Sequence, residues 1–119
     1  NPSSISQRAA LAALTGDQSS LQEMVERFRK RRDLLTEGLA KIPKLSLVKP
    51  EGAFYCFVDI SAAGLSSNLF SERLLKEAQV AVIPGEGFGW DTHIRVSFAT
   101  SDHELEEGLT RFAQFVRSL

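Results

Sequence analysis

A single arginine in an otherwise alternating strand constrains this chain most. In His93-Ile94-Arg95-Val96-Ser97-Phe98-Ala99 the apolar Ile94, Val96 and Phe98 alternate with Arg95 and Ser97. Side chains of a strand point to opposite faces in turn, so one face is apolar and the other presents Arg95. A guanidinium seldom occupies the middle of so regular a strand unless something meets its charge. The apolar face needs a cover, and the arginine needs a partner.

The rest of the chain supplies the cover. Ser101-Asp102-His103-Glu104 has the form of a capping box. Leu105, Leu109, Phe112, Val116 and Leu119 then recur at three- and four-residue steps, which predicts an amphipathic helix to the last residue. Ser20-Leu21-Gln22-Glu23 predicts a second capping box, followed by a long helix to about Lys41 with the stripe Leu21, Val25, Phe28, Leu35, Leu39 and Ile42. Glu23 and Glu26 stand four residues before Arg27 and Lys30, the spacing of helical ion pairs. The basic run Arg27 to Arg32 reads as a solvated helix face, with a phosphate or nucleic-acid surface as the alternative.

Pro43 stops that helix, and Leu45 to Val48 reads as a strand. Pro50-Glu51-Gly52 reads as a turn. Ala53 to Ile60 is apolar almost throughout, which predicts a strand inside the sheet. Asn68 is placed to cap a helix from Leu69 to Ala78, with Phe70, Leu74, Leu75 and Ala78 inward. Val80 to Ile83 reads as a further strand. Ahead of all these, Asn1-Pro2-Ser3-Ser4 opens a short alanine-rich helix over Ile5 to Leu14, ended by Gly16. The expected fold is α+β: a two-layer sandwich of a small mixed, mostly antiparallel sheet with helices on one face. The expected division is residues 1–16 as an interface helix, 17–20 as a linker and 21–119 as the domain.

With 119 residues, 43% of them hydrophobic, the chain suits one domain with one core. Fourteen basic and 15 acidic residues leave it near neutrality, which argues against a general binder of nucleic acid or anionic membrane. The lone cysteine, Cys56, excludes an internal disulfide, and two histidines without a Cys-x-x-Cys offer no metal-site spacing. No apolar run approaches the ~20 residues that span a bilayer, and no signal-peptide pattern opens the chain. The expected setting is cytoplasmic. The sequence lacks an initiating methionine and begins within a helix-start phrase, so it reads as a piece of a longer protein.

Several residues have two readings. Arg95 could pair with a surface carboxylate, worth ~0–1 kcal/mol. It could instead grip a ligand carboxylate through two charged hydrogen bonds, each worth ~1.5–3 kcal/mol. Gly85-Glu86-Gly87-Phe88-Gly89 is either a turn that needs positive φ or close approach, or the edge of a ligand pocket. It is no dinucleotide fingerprint, because its glycines alternate and a strand follows. His93 shares the face of Arg95 and reads as solvent-facing beside a turn. His103 opens a helix, where a cation is mildly unfavourable. Asp59 reads as a strand-end turn residue, Cys56 as a small buried hydrophobe, and Trp90 as a lid over the glycine turn. No nucleophile–base pair or carboxylate dyad stands out, so no catalytic residue is assigned within the chain.

The chain resembles the C-terminal part of a fold-type I, pyridoxal-phosphate-dependent aminotransferase, most closely the bacterial and plastid aspartate aminotransferases. The resemblance rests on Asn1-Pro2-Ser3-Ser4-Ile5-Ser6-Gln7, Arg31-Arg32-Asp33, Pro50-Glu51-Gly52-Ala53-Phe54-Tyr55, Val82-Ile83-Pro84-Gly85 with Phe88-Gly89, and Ile94-Arg95-Val96-Ser97-Phe98-Ala99-Thr100-Ser101. It implies that Arg95 grips the substrate α-carboxylate, that Phe54 lines the substrate side of the pocket, and that Gly52 shapes the turn bringing Phe54 there. It implies that residues 1–16 end a large domain near a homodimer interface and that the rest forms the small domain. It also implies pyridoxal 5'-phosphate as cofactor, held by a lysine in a Ser-Lys context. Lys30, Lys41, Lys44, Lys49 and Lys76 all lie outside such a context, so this chain alone should not bind the cofactor. Within the family, an aromatic amino acid, kynurenine, alanine or prephenate is an alternative substrate. A non-catalytic regulatory or interaction domain is the alternative from another class.

Overall fold

A computed structural model describes residues 1–119. Four helices, α1 (Ser4–Thr15), α2 (Ser19–Ala40), α3 (Ser67–Ala78) and α4 (Asp102–Ser118), accompany four strands. The strands are β1 (Ser46–Leu47), β2 (Tyr55–Asp59), β3 (Ile83–Pro84) and β4 (His93–Ser97). The sheet order is β1-β2-β4-β3, and every neighbouring pair is antiparallel. β2 and β3 therefore run the same way, joined through α3, with β4 inserted between them. That insertion makes the arginine-bearing strand an inner one.

Alternation decides the two faces of the sheet. Cys56, Val58, Ile94 and Phe98 are fully or almost fully buried, and with Ile60 they meet Leu35, Leu39 and Ile42 of the α2 end, Phe70 and Leu74 of α3, and Leu105, Phe112, Phe115 and Val116 of α4. Phe70 meets Phe112 and Phe115 edge-on at 5.9 and 5.3 Å, which locks α3 to α4. Burying one such side chain contributes roughly 1.5–3 kcal/mol. The helices cover one face only, as the sequence predicts.

The end of the chain follows its pattern closely. Ser101 caps α4, its Oγ accepting the Glu104 N–H at 3.2 Å. Phe115 joins the buried stripe although the four-three stepping passes over it. Elsewhere local signals give way. The capping box at Ser20 does not form: α2 starts at Ser19, and Asp17 accepts the Ser19 N–H at 3.0 Å in its place. Asn68 is not a cap either, because Ser66 takes that position and accepts the Leu69 N–H. Leu75 points outward and is 54% exposed. The segment from Val80 shrinks to the two paired residues Ile83 and Pro84.

The expected ion pairs of α2 are also replaced. Glu26 meets Arg29 one turn on, while Arg31 reaches Asp102 at 2.7 Å and Arg32 reaches Asp33 at 2.9 Å. The basic run is thus largely spent on neighbouring carboxylates. Arg32, with Lys49, holds the Asp33 carboxyl below its usual range. Only the C-terminal half of the α2 stripe reaches the core: Leu21, Met24 and Val25 stay exposed, and α1 buries no residue at all. No helix is long and apolar enough to cross a membrane.

Candidate functional site

The open face of the sheet carries the side chains that alternation turns away from the helices. These are Tyr55, Phe57 and Asp59 of β2, Arg95 and His93 of β4, and Ile83 of β3. In register, Arg95 lies opposite Phe57 on one side and Ile83 on the other. Its guanidinium stands 5.0 Å from the Tyr55 ring centre and 4.9 Å from that of Phe88. Each such cation–π contact is worth about 0.5–1 kcal/mol at a partly exposed site. Contact with a ring face uses none of the five N–H donors in a charged hydrogen bond. Arg95 has no carboxylate partner in the chain: the side-chain hydrogen bonds and salt bridges all lie elsewhere. The surface-pair reading of Arg95 therefore finds no partner in this chain.

Aromatic packing supports that arrangement. Phe57 meets Phe88 edge-on at 6.1 Å and stacks on His93 at 4.9 Å. Trp90 also meets His93 edge-on at 4.9 Å. His93 is thus half-buried against two rings rather than free in solvent, with Nδ1 3.0 Å from the Thr92 hydroxyl. Trp90 also touches the glycine turn, its backbone N–H donating to the Gly85 carbonyl at 3.0 Å. Asp59, the carboxylate of this face, is drawn away from Arg95: it accepts the Ser61 N–H at 2.8 Å. That bond, with Ser61 and Ser46 hydroxyls assisting, keeps its carboxyl below the usual range.

The glycine turn needs both properties proposed for it. Gly89 has φ +83°, and a Cβ on Gly85 would stand 2.3 Å from the carbonyl oxygens of His93 and Trp90. The turn folds back on the start of β4, which carries Phe88 over Arg95.

Phe54 is 52% exposed and does not share the Arg95 contact. It meets Tyr55 edge-on at 6.1 Å, so Tyr55 stands between the two predicted site residues. Phe54 instead borders a cleft of about 380 Å³ between α2 and the 51–54 turn, with Met24, Phe28 and Phe98. The positive φ of that turn falls on Ala53 (+59°), one residue after Gly52. A left-handed alanine costs roughly 1–2 kcal/mol and marks where the chain is bent to present Phe54 and Tyr55. The flanking roles of Tyr55 and Phe88 were not read from the sequence. Alternation with Phe57 signals Tyr55, whereas nothing in a glycine-rich turn signals Phe88.

The residues do not fit a pyridoxal phosphate held by this chain alone. No lysine lies on β2 or β4. Lys49 is paired with Asp33 and Lys76 with Glu72, which raises the Lys76 pKa where an imine-forming lysine needs a lowered one. His103 is exposed at the start of α4, Cys56 is buried with its thiol pushed up to about 11 by desolvation, and no cluster of metal-ligating side chains exists.

Sequence and fold comparisons agree on the kinship. The family model for aminotransferase class I and II matches residues 1–112. The aspartate aminotransferase of Bacillus sp. (strain YM-2) is 43% identical over 98% of this chain, which spans 31% of that protein. The solved aspartate aminotransferase of Rhizobium meliloti superposes with a TM-score of 0.90 at 41% identity, over 98% of this chain and 32% of its own. An alanine aminotransferase from Pyrococcus furiosus gives 0.92 at 35% identity, over 99% and 31%. The chain thus spans about a third of the length of these relatives, whose family uses pyridoxal phosphate. A family model that matches 1–112 of the 119 residues, with identity above 40% to aspartate aminotransferases over almost the whole chain, makes this chain a member of the class I and II aminotransferase family.

Proposed function

We propose that this chain is the substrate-gripping C-terminal part of a pyridoxal-phosphate-dependent aspartate aminotransferase. In that reading residues 21–119 are the small domain, 17–20 the linker and 1–16 the end of the large domain. The enzyme is a cytoplasmic homodimer that moves an amino group from aspartate or glutamate to a 2-oxo acid. The carrying observation is Arg95: a guanidinium on an uncovered face, steadied by Tyr55 and Phe88, with no carboxylate of its own. Its planar fork fits an α-carboxylate two-to-two, a match that lysine's point charge lacks. Phe54 lines the substrate side of the closed pocket.

The lysine and the groups that hold the cofactor belong to polypeptide outside this chain. A carboxylate docking on Arg95 draws the small domain over that centre and excludes water. Beside Arg95 stand rings and Ile83, with His93 the other basic side chain that β4 turns to this face, so this chain answers one carboxylate well and a second poorly. Selection of the substrate side chain therefore falls largely to the missing part. The likeness to an alanine aminotransferase keeps alanine as the second substrate reading.

The test is a transamination panel on the polypeptide extended to the length of its relatives. Aspartate and glutamate should be the best donors, with aromatic amino acids, kynurenine and alanine slower. Absence of amino transfer from every donor would leave a non-catalytic domain as the better reading.

A further inference from the structure

Between the glycine turn and β4, the segment from Glu86 to Thr92 consists of exposed residues, yet it must hold Phe88 in place over Arg95. One fully buried polar residue ties it down. Ser67, in the first turn of α3, is 0% exposed. Its N–H donates to Asp91 Oδ1 (2.9 Å) and to the Asp91 carbonyl (2.8 Å). Its hydroxyl donates to the same Asp91 Oδ1 (2.8 Å) and accepts the Glu86 N–H (3.1 Å). Asn68 adds a bond to the Glu86 carboxylate. Ser67 thus grips both ends of the segment that carries Phe88.

We infer that Ser67 and Asp91 form a clasp that sets the position of Phe88 and, through it, the orientation of the Arg95 guanidinium. They are positioning residues. Their part in catalysis rests on the reading of Arg95 as a carboxylate grip. The chemistry needs an acceptor at residue 91, not a charge, because Ser67 supplies two donors to one oxygen. Removing the hydroxyl takes the acceptor from the Glu86 N–H and one of two donors from Asp91 Oδ1, so its loss should loosen the turn from its Glu86 end.

Nuclear magnetic resonance of the 119-residue chain tests this, because Tyr55 and Phe88 impose ring-current shifts on the Arg95 side-chain protons. Phe88→Leu supplies the reference shift for a lost ring. Ser67→Ala and Asp91→Ala should move the Arg95 protons toward that reference, whereas Asp91→Asn should keep wild-type shifts. Wild-type shifts in folded Ser67→Ala and Asp91→Ala would overturn the clasp. If those variants do not fold, Asp91→Asn still decides: wild-type shifts support an acceptor clasp, and shifts displaced toward Phe88→Leu overturn it. Failure of the carboxylate reading would show only in the kinetics of Arg95 variants and would leave these shifts as they are.

Discussion

The Arg95 guanidinium stands 4.9 Å from the centre of the Phe88 ring, although one leaves an inner strand and the other a glycine-rich turn. The contact exists because the turn folds back on the start of β4. Where that turn goes, the aromatic wall beside Arg95 goes too.

The two glycines of the turn should therefore differ sharply. A Cβ on Gly85 would overlap two carbonyl oxygens, whereas one on Gly87 would meet nothing within 4 Å. Gly85→Ala should destabilise the chain by roughly 2 kcal/mol or more, the cost of overpacking against backbone. Gly87→Ala should lie within about 0.5 kcal/mol of wild type. Thermal unfolding of both variants checks the contrast, and equal effects would contradict it.

Gln79 closes α3 with φ 56° in the left-handed region. Glycine reaches that conformation without a Cβ penalty and is favoured just past a helix end. Gln79→Gly should raise stability by about 1 kcal/mol, read as a shift in urea midpoint. A lower midpoint would show that the exposed glutamine contributes more than its backbone costs.

Cys56 reports on the core. Burial pushes its thiol from 9.0 to about 11, and the thiolate is the reactive form. Alkylation at pH 8 should be slow in the folded chain and fast in denaturant. Above pH 9 the unfolded thiol ionises first, so the folded state binds the extra proton. Stability should then fall with rising pH through about pH 11, by up to ~1.4 kcal/mol per pH unit from this group. Cys56→Ala should flatten that slope, and an unchanged slope would contradict the assignment.

The lysines here should not trap the cofactor. Incubation with pyridoxal phosphate and borohydride should give scattered, substoichiometric labelling of exposed lysines. One stoichiometric adduct on a single lysine would contradict the proposal that the cofactor-holding lysine lies outside this chain.

The legible parts of the fold were those where one pattern had no competitor. α4 and the faces of β4 follow directly from Ser101, Leu105, Phe112, Val116 and the Ile94/Phe98 alternation. Caps were less legible, because Ser66, Ser67 and Asn68 are all capping types, and burial of Ser67 against Asp91 settles which one caps. The N-terminal half of the α2 stripe reads as core although its apolar groups find no cover in this chain. A period of 3.6 residues shows which residues share a face, not what that face meets. At the site, Arg95 was legible through its strand, while Phe88 and Asp91 were not. Their positions depend on how a glycine turn folds back, which residue type alone does not encode.

The most direct measurement is kcat/KM for aspartate, with Arg95→Ala, in the proposed aminotransferase extended to the length of its relatives. Loss of two charged hydrogen bonds to the α-carboxylate should cost ~3 kcal/mol, a fall of about two decades, and Arg95→Lys should recover only part of it. A fall of less than about threefold, under ~1 kcal/mol, would contradict the role of Arg95 as the carboxylate grip.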